Sequence, residues 1–577
     1  MKAAHLRIHN FRSILDADIE VRPYGLLVGP NGAGKSNVLA AIRAFYDDIK
    51  FAKGRDFPRM ETEDEESWVE IEYQLDDGEA ETLKEEYLDP TRNSFRVRRY
   101  FQTTEKDSDG KSRAGGVFGY VKKDLSGSRF YGAKNIQQAK LGQAVYIPAV
   151  TKLDDHTKLS GPSSLRELLN YVLRSRLEES EHFEGLTSAF LAFRETLKGD
   201  EEGPLRSLEM AITKEIAEWG HRFALDVRSL TVDELLKGLV APKVIDGHLE
   251  EELEPGQFGH GFQRHLIFSL VMLAARHAGM SKAKPKNSKK EFDPNLFWVL
   301  YEEPEAFLHP PQAEVLNVGL RNLSRASGHQ VLVTTHSSHF ASKNLAQIPS
   351  LVRLSRHGKA TKIGQVKTED LPALFDENQD LPRRFNDAGV KMNEVDLIEM
   401  EAIKYSLWLN PQRASALFAQ HVLLVEGPTE RALVGYLVDE GRLRPPSGGL
   451  AVIDTLGKFN MPRFMNLLGA LHIPHAVLYD QDERKQGESA TKSSIANQCI
   501  EGARNPFTAT VEGLTVDLEE SLNIEKPEKM QDRQKPQYLL HLIVKGEVDE
   551  TALDSFITII QRLVLSTAAG ASDAAEA

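Results

Sequence analysis

The segment from Gly29 to Ser36 has the residue types and spacing of a loop that binds phosphate groups. It reads Gly, four residues, Gly34, Lys35 and Ser36, which is the phosphate-binding loop pattern. Glycines let backbone N–H groups point at a phosphate, and the helix that follows adds its positive end. Lys35 would neutralise the β- and γ-phosphates, and Ser36 would ligate Mg²⁺. The pattern therefore predicts binding and hydrolysis of a nucleoside triphosphate.

Acidic residues and a histidine follow two apolar strands predicted farther along the chain. Glu302 and Glu303 come directly after the segment 296–301, and His336 follows the segment 331–335. Unpaired buried charge is costly, so a buried strand that ends in acids indicates a functional site rather than packing. We expect Glu302 to hold the Mg²⁺ shell, Glu303 to polarise the attacking water and His336 to sense the γ-phosphate.

Four carboxylates form a second group near the C-terminal end. Glu426 follows one apolar segment, and Glu430 falls in the first turn of the helix predicted after it. Asp480 and Asp482 follow a later apolar segment, and side chains two residues apart on an extended chain point to the same side. In open α/β sheets, ligand sites form at the carboxyl ends of the strands.

A divalent cation is the simplest explanation for these acids, because no Arg or Lys is evenly interleaved to neutralise them. Ligation by oxygen alone selects Mg²⁺ or Mn²⁺ over zinc. Each pair taken alone could be a solvated turn. The order of both pairs, with this strand and helix spacing, favours a metal site.

The elements that must position these residues change along the chain. Residues 5–28 predict a strand, a turn and a second strand, and alternating segments over about 50–150 predict mostly strands. Over about 160–245 the apolar residues recur every three and four positions instead, and the segments 165–173 and 205–219 predict amphipathic helices. These helices indicate an arm inserted into a β-containing domain, with packing on the same core as the alternative.

The composition excludes several classes of protein and of site. The 577 residues carry 71 Lys and Arg against 85 Asp and Glu, and the net charge of −14 argues against non-specific coating of nucleic acid. The single cysteine, Cys499, excludes an internal disulfide and a Cys-rich zinc site. The start of the chain lacks the apolar run of a signal peptide, and the most apolar window, 266–275, is about half a membrane span. We expect a cytoplasmic protein without a transmembrane segment.

Together, the N-terminal motifs resemble the ABC-type ATPase heads of structural-maintenance, Rad-fifty and RecF-like proteins. Arg12 lies in a segment similar to their opening strand, whose arginine approaches the nucleotide, and the segment 258–264 is similar to their signature motif. The resemblance implies dimer contact that responds to ATP, with this signature helix on the γ-phosphate held by another copy. The nucleotide-binding residues that it implies are Arg12, Asn31, Gly32, Gly34, Lys35, Ser36, Asn37, Gly259, Gly261 and Gln263.

The sequence departs from the pattern of these heads at several points. The signature is not Leu-Ser-Gly-Gly-Gln, and Glu302 stands where aspartate is usual. The glutamine loop has no secure position, and Gln143 is one candidate for it. The segment 305–310, in contrast, is similar to the loop that follows the second carboxylate in the heads.

The C-terminal order, a glutamate after one strand and Asp-x-Asp after a later one, resembles the Toprim domain of topoisomerases, primases and certain nucleases. The whole arrangement is similar to the OLD (overcoming lysogenization defect) family and to the nuclease subunit of Gabija-type defence. By this resemblance Glu426, Glu430, Asp480 and Asp482 would be metal ligands or acid/base groups.

The same resemblance extends to later residues. The segment 515–522 is similar to the family's later acidic motif, and we expect Glu519 to bind a second metal, with Asp517 and Glu520 as the alternatives. Lys535 is matched to a late basic residue that offsets charge on the phosphate, and a solvated lysine is the equal alternative.

These resemblances imply an α/β fold, in which an ABC-type (RecF/SMC-like) ATPase with an inserted helical dimerisation arm precedes a Toprim α/β domain. The α/β pattern that restarts at His421 belongs to the second part. The predicted boundaries are 1–155 for the N-terminal ATPase lobe, 156–245 for the helical insertion, 246–400 for the C-terminal ATPase lobe, 401–565 for the Toprim nuclease domain and 566–577 for a disordered tail.

The resulting hypothesis is an ATP-regulated, metal-dependent DNA endonuclease in prokaryotic anti-phage defence or DNA processing, which hydrolyses phosphodiesters with two Mg²⁺ or Mn²⁺ ions. The alternative is an ATP-driven DNA-binding repair clamp whose Toprim module does not cleave. A complete set of Toprim acids favours the nuclease, since a binding module does not need them. A topoisomerase or primase would require a nucleophilic-tyrosine or zinc domain, which the sequence does not indicate.

The expected partners are DNA and further copies of the chain as a dimer or tetramer; a helicase-like partner is left open, and no membrane is expected.

Overall fold

The computed structural model of the chain describes residues 1–133, 139–149, 180–198, 204–227, 231, 240–247, 250–280, 292, 294, 296–342, 345–390, 401, 404–405, 410–525, 531 and 534–573. The chain forms two compact units, one made of Met1–Ala149 and Lys290–Ala577 and the other of Val150–Lys289. No helix within the described ranges is both long and apolar enough to cross a membrane.

The helices and strands alternate in the manner of an α/β protein. The strands are β1 (Lys2–Phe11), β2 (Ile14–Glu20), β3 (Tyr24–Val28), β4 (Ser67–Gln74), β5 (Ser94–Gln102), β6 (Val117–Val121), β7 (Asp124–Arg129), β8 (Gln143–Ile147), β9 (Val244–Ile245), β10 (Glu252–Leu253), β11 (Phe297–Glu302), β12 (His329–Thr334), β13 (Leu351–His357), β14 (Ala360–Gly364), β15 (His421–Val425), β16 (Leu450–Asp454), β17 (His475–Asp480) and β18 (Thr508–Leu514). The helices are α1 (Lys35–Phe45), α2 (Lys53–Asp56), α3 (Asp77–Ala80), α4 (Glu181–Lys198), α5 (Pro204–Glu215), α6 (His260–Met280), α7 (Pro310–Arg325), α8 (Ser338–Ser342), α9 (Leu371–Glu377), α10 (Asp380–Asp387), α11 (Pro428–Asp439), α12 (Met461–Ala470), α13 (Gly487–Gly502), α14 (Leu518–Ser521), α15 (Lys535–Lys545) and α16 (Glu550–Asp573).

The N-terminal sheet is antiparallel, with strand order β2-β1-β4-β5-β6-β7. Its apolar face packs on α1, because side chains such as Leu6 and Ile8 share one core with Val38 and Ile42 of the helix. The prediction of one strand before Gly25 is wrong, since the chain turns after β1 and forms β2 as well. The predominance of strands over 50–150 is confirmed.

The central sheet has the order β14-β13-β3-β12-β11-β8, and all of its strands run parallel except the edge strand β14. Strands β3 and β12 are buried along their whole length, which is why their sequences are continuous apolar runs rather than alternating ones. Parallel strands end at one edge of a sheet. The carboxyl ends of β3, β11 and β12 therefore lie side by side.

The C-terminal sheet is parallel throughout, with the order β16-β15-β17-β18. Its core includes Leu423, Leu433, Leu478 and Phe556, all at most 1% exposed. Burying one such side chain contributes about 1.5–3 kcal/mol. Helix α16 packs against β15, β17 and β18, while α11 packs against α15 and β16.

The second unit contains α4, α5, the hairpin β9–β10 and α6. The helix predicted over 205–219 is α5, followed by a short 3₁₀ turn, Ala217–Trp219. The helix predicted over 165–173 and the lysine-rich loop 281–290 lie outside the described residues. The domain boundaries given above stay predictions.

The prediction of a disordered tail from Ser566 is wrong for residues 566–573, which continue α16. Thr567 is 1% exposed, donates a hydrogen bond to the Val564 carbonyl and lies 2.7 Å from His421 Nδ1 of β15. The neighbouring Leu563 is buried in the same core. The alanine-rich composition that suggested disorder also favours helix once one face can pack on a sheet.

The hairpin β13–β14 joins the central sheet to the C-terminal region through closely fitted contacts. Arg353 of β13 is buried and donates hydrogen bonds to the carbonyls of His472 (2.7 Å) and Ala419 (3.2 Å). Burial lowers the pKa of Arg353 to about 10. On β14, a Cβ atom at Gly364 would lie 2.3 Å from the Leu471 carbonyl oxygen, so only glycine fits there.

We expect Gly364→Ala to lower the free energy of unfolding by about 1–3 kcal/mol, because the added methyl group overpacks this contact. Urea denaturation would measure the change. Gly435→Ala in α11 is the matched control, since a Cβ there meets nothing within 4 Å and alanine favours the helix. An unfolding midpoint for Gly364→Ala equal to that of the control would contradict the close contact.

Candidate functional site

The loop between β3 and α1 has a backbone that only glycine can adopt at two positions. Gly29 has a φ of 135°, and a Cβ on it would lie 2.0 Å from the Leu354 carbonyl oxygen. Gly34 has a φ of 102°, and a Cβ on it would lie 2.3 Å from Thr361 Oγ1. The loop is thus shaped by contact with the β13–β14 hairpin as well as by its own sequence.

Lys35 begins α1 and is buried. Its Nζ donates hydrogen bonds to the carbonyls of Gly29 (2.8 Å) and Pro30 (2.9 Å). Burial lowers the pKa of Lys35 to about 8, although the nearby Glu303 and Glu305 oppose the shift. The ammonium group is therefore held close to the acids that follow β11.

A cavity of about 670 Å³ lies over this loop. It brings together most of the residues that the sequence predicts for the nucleotide. Its lining consists of Asn31, Gly32, Ala33, Gly34, Lys35, Ser36, Asn37, Glu303, Thr334 and His336. The volume and the surrounding N–H groups and lysine suit a phosphate chain.

Glu303 and His336 face each other across this cavity. His336 Nε2 lies 3.3 Å from Glu303 Oε1, and each side chain is about one-third exposed. The pKa of His336 is lowered by burial and by Lys35, which favours the neutral imidazole. The backbone at Glu303 is left-handed, with a φ of 44°, directly after the end of β11.

Glu302 ends β11 and contacts Ser36, so the two predicted ligands of the nucleotide magnesium are adjacent. Its second oxygen accepts a hydrogen bond from the Tyr146 hydroxyl at 2.5 Å. Tyr146 was not predicted from the sequence, where its only signal is the apolar segment around it. Glu305 plays a different part, because its buried carboxylate accepts hydrogen bonds from Thr335 Oγ1 (2.7 Å) and the N–H of His336 (2.8 Å).

Arg12 lies beside the same loop. Its Nε donates to Asp56 Oδ1 (3.0 Å), and its Nη1 lies 3.4 Å from Asn37 Oδ1. Asn37 in turn donates to Ser13 Oγ at 2.7 Å. The structure therefore brings Arg12 to the start of α1, next to the cavity lining.

The signature-like residues lie in the second unit. Gly259 precedes α6 and Gly261 is in its first turn. The Gln263 side chain donates to the carbonyls of Gly256 (3.1 Å) and Phe258 (2.6 Å), which closes the start of the helix. Their contact with a nucleotide stays a prediction.

Three carboxylates lie near one another at the carboxyl edge of the C-terminal sheet. Glu426 follows β15, Glu430 lies in the first turn of α11, and Asp480 is the last residue of β17. The N–H of Asp480 donates to Glu426 Oε2 at 3.3 Å, and the N–H of Gly427 donates to Glu430 Oε2 at 3.0 Å. Neighbouring parallel strands thus bring together acids more than fifty residues apart.

Burial and mutual repulsion raise the pKa values of these acids. The pKa of Asp480 rises to about 9, through burial first and then through Glu426 and Glu430. The pKa of Glu430 rises to about 7, again mainly through burial. The pKa of Glu426 is also raised by burial. Such shifts indicate that burial, with a smaller contribution from neighbouring carboxylates, disfavours the ionised form of these acids, a cost that a bound cation would offset.

The later acidic segment joins this cluster in part. Asp517 contributes to the raised pKa of Asp480, and Glu519 contributes to that of Glu430. Glu519 is 7% exposed, whereas Glu520 is turned to Arg484 at 2.6 Å. The structure therefore favours Glu519 and Asp517 over Glu520 as neighbours of the cluster.

Asp482 has surroundings that the sequence analysis did not predict. Strand β17 ends at Asp480, and Asp482 has a left-handed φ of 60°, so the expectation of an extended segment is wrong. Its Oδ2 accepts hydrogen bonds from Lys458 (2.7 Å) and Lys485 (2.8 Å). Burial would raise the pKa of Asp482, but these bonds lower it overall. The statement that no lysine neutralises the acids is therefore wrong for Asp482.

Asp454 and Lys535 are two further charged residues of the same region. Asp454, the last residue of β16, is paired with Arg413 and with Arg431 Nη1, the latter at 2.8 Å. Lys535 is the first residue of α15, which packs on α11. Its proposed role toward a phosphate stays a prediction.

The chemistry of the donors fits a divalent cation that prefers oxygen ligands, because several carboxylates meet where their charge is only partly neutralised. In the parts of the chain that the structure describes, no three carboxylate, thiolate or imidazole groups already converge as a complete metal-binding set. The residues that would hold such an ion are therefore named from their donor type and common location.

Two family models match this chain. The model described as AAA ATPase domain matches residues 1–138 and 173–341. The model described as overcoming lysogenization defect protein-like, TOPRIM domain, matches residues 417–482. The first match contains the phosphate-binding loop, Glu302, Glu303 and His336, and the second contains Glu426 through Asp482.

Characterised relatives resemble the chain over most of its length. The Old nuclease of Escherichia phage P2 is 24% identical over 84% of this chain and 77% of its own. The OLD nuclease of Thermus scotoductus is 23% identical over 85% of each chain, and endonuclease GajA of Bacillus cereus is 20% identical over 95% of this chain and 86% of its own. Among solved structures, the SMC head domain from Thermotoga maritima has a TM-score of 0.29 and 13% identity over 64% of this chain and 100% of its own.

The predicted fold class and the predicted family resemblance are both confirmed. Parallel sheets carry the two groups of acids at their carboxyl edges, and the matched segments contain both groups. The chain belongs to the AAA ATPase domain family and carries, after that ATPase, the Toprim domain of OLD-like proteins.

Proposed function

We propose that this protein is an ATP-regulated, divalent-metal-dependent DNA endonuclease. The observation that carries the proposal is the meeting of Glu426, Glu430 and Asp480 at one edge of the Toprim sheet, where burial and repulsion raise their pKa values. Relatives that cover most of the chain are named as nucleases. A module that only binds DNA would gain nothing from a buried cluster of acids, which opposes the phosphate backbone.

The cleavage site would use a small set of residues. Glu426, Glu430, Asp480 and Glu519 would hold Mg²⁺ or Mn²⁺, with Asp517 as an additional oxygen donor. When bound, two such ions lower the pKa of the attacking water and stabilise the leaving 3′ oxygen. Lys535 would offset charge on the phosphate that is cleaved. The acids themselves would supply fixed oxygen donors, because Glu426 and Asp480 lie at the ends of buried strands and Glu430 in the first turn of α11.

The nucleotide site would use the residues around the 670 Å³ cavity. Lys35 and the loop N–H groups would bind the phosphates, with Arg12 beside them. Ser36 and Glu302 would hold Mg²⁺, and Tyr146 would keep the Glu302 carboxylate in place. Glu303 would orient the attacking water, and His336 would contact the γ-phosphate.

Regulation of cleavage by ATP is supported by the β13–β14 hairpin, which contacts the phosphate-binding loop at one end and, at the other, the segments of the Toprim region that precede β15 and β17. At one end, Thr361 Oγ1 donates to the Ala33 carbonyl of the phosphate-binding loop at 2.9 Å. At the other, Arg353 and Gly364 contact the Toprim region. A rigid hairpin with both contacts can transmit a change in the loop to the nuclease.

The partners that we propose are DNA as the substrate and further copies of this chain, as a dimer or tetramer. Completion of the nucleotide site by Gly259, Gly261 and Gln263 of another copy would make ATP binding favour association. The biological setting that we propose is anti-phage defence or DNA processing in a prokaryote. A helicase-like partner is consistent with that setting.

We expect Glu426→Ala and Asp480→Ala to abolish nicking and linearisation of plasmid DNA in Mg²⁺ or Mn²⁺, while ATP turnover is retained. The reason is that each variant removes an oxygen donor from the cleavage cluster and leaves the separate nucleotide cavity intact. Gel electrophoresis of supercoiled plasmid and a phosphate-release assay would measure the two activities.

The matched control for these variants is Glu520→Ala, which removes an acid of the same region that is turned to Arg484. It should cut DNA at the rate of the parent. If Asp480→Ala cuts as fast as the parent, the assignment of the cleavage site is wrong. A parent protein that binds DNA and turns over ATP but never cuts would instead support the repair clamp.

We expect Lys35→Ala and Glu303→Gln to reduce ATP turnover by about 10²-fold or more, because they remove phosphate neutralisation and water orientation from the same cavity. Both variants should still bind Mn²⁺ at the Toprim cluster. Phosphate release measures the loss, and plasmid cutting with and without ATP shows how the nucleotide controls the nuclease. Unchanged turnover in Glu303→Gln would contradict its assigned role.

A further inference from the structure

Lys458 is a lysine that the proposed reaction does not use, although it is only 2% exposed. It lies in the loop after β16, and its Nζ donates to the Asp480 carbonyl (2.5 Å), Asp482 Oδ2 (2.7 Å) and Ser493 Oγ (2.6 Å). An ammonium group has three protons, so these three oxygens fill its capacity. A buried lysine with a complete set of acceptors has one fixed position.

The same loop also holds the neighbouring strand end. The N–H of Thr455 donates to the Val425 carbonyl at 3.0 Å, and the N–H of Gly457 donates to the Glu426 carbonyl at 2.8 Å. Strand β15 lies between β16 and β17 in the sheet, so Lys458 reaches across the end of β15 to β17. One loop therefore binds the backbone carbonyls of both Glu426 and Asp480.

Asp482 is arranged as the counter-ion of this lysine. Its Oδ2 accepts from Lys458, from Lys485 and from Ser493 Oγ, the last at 2.7 Å. The backbone at Asp482 is left-handed, two residues beyond the end of β17, and its side chain contacts the lysine. Asp482 Oδ2 is thus committed to hydrogen bonds within the protein.

We propose that Lys458 is a positioning residue for the nuclease reaction, which fixes Glu426 and Asp480 at their working separation, and that Asp482 serves as its counter-ion rather than as a metal ligand. This inference rests on the proposed nuclease function. It divides the Asp-x-Asp pair into one residue that acts on the metal and one that acts through Lys458.

The physical basis is that Lys458 contributes both a tether and a charge. Without the tether, the Asp480 carbonyl loses a hydrogen bond at the point where the strand ends. Without the charge, Asp482 adds its repulsion to a cluster whose acids already repel one another. Groups that orient metal ligands in this way typically affect metal affinity or activity by about 10- to 100-fold when removed.

The first test compares Lys458→Met with Lys485→Met. Both lysines donate to Asp482 Oδ2, but Lys485 is half exposed and makes none of the other contacts. We expect Lys458→Met to weaken Mn²⁺ binding and slow plasmid nicking by about 10- to 100-fold. Lys485→Met should change either by less than about fivefold, as expected for an exposed ion pair. Electron paramagnetic resonance of Mn²⁺ titrated into the full chain measures binding without any need for DNA cleavage.

The second test compares Asp482→Asn with Asp480→Asn. Asparagine keeps an oxygen that can accept from Lys458, so Asp482→Asn should retain Mn²⁺ binding within about tenfold, whereas Asp480→Asn should lose it. In the Lys458→Met background, Asp482→Asn should cause no further loss of Mn²⁺ binding, since it removes a negative charge that then lacks its Lys458 partner. Ser493→Ala, which leaves the charges in place, should give a smaller loss than Lys458→Met. Thermal denaturation of each variant separates these effects from unfolding.

The inference is overturned if Asp482→Asn loses Mn²⁺ as completely as Asp480→Asn in both backgrounds. It is also overturned if Lys458→Met binds Mn²⁺ and nicks DNA as the parent does. A parent protein that neither binds Mn²⁺ nor nicks DNA would contradict the proposed function itself, which is a different result from either of these.

Discussion

Glu426, Glu430 and Asp480 are held against their mutual repulsion at the carboxyl edge of a parallel sheet. Nothing local in the sequence would keep three carboxylates together, because each would lower its free energy by moving into water. They stay because the strands that carry them are buried, paired in register and covered by helices such as α16. The apolar core beneath the Toprim sheet thus supplies the rigidity on which the charged edge depends.

The same arrangement occurs a second time in the central sheet. There the ends of β3, β11 and β12 place a glycine loop, Glu303 and His336 around one cavity, with Glu302 in contact with Ser36 of its lining. In both sheets a side chain that is distant in sequence holds a carboxylate in place. Tyr146 donates to Glu302 in the central sheet, and Lys458 donates to Asp482 in the C-terminal sheet. Rigid strand ends and fixed neighbours are what allow such groups to keep a working geometry.

The parts of the fold that could be predicted from the sequence are those with strong local patterns. Buried parallel strands are continuous apolar runs, so the strand over 421–425 was predicted with its observed bounds. The strand Ile14–Glu20 was missed because its alternation is short and follows a turn that no Gly or Pro marks. The tail was misjudged because alanine and serine suit a loose end and a packed helix equally well.

The residues of the candidate sites could likewise be predicted only where a local pattern in the sequence marks them. The acids and the phosphate-binding loop were identified from spacing along the chain. Tyr146 is 156 residues from Glu302, and Lys458 is 35 from Ser493, so no local pattern connects them. The turn of Asp482 away from the strand also depends on these distant contacts, which is why an extended chain was the wrong expectation there.

Arg353 determines how the polypeptide can be divided. Its guanidinium group is buried where β13 meets the loops at Ala419 and His472, and its partners there are backbone carbonyls. A fragment that stopped before residue 401 would present this cation and the bare surface of Gly364 to solvent. The ATPase part and the Toprim domain are therefore joined by packed contacts as well as by the chain. Gene fusions that exchange one Toprim domain for another must preserve the shape of this interface.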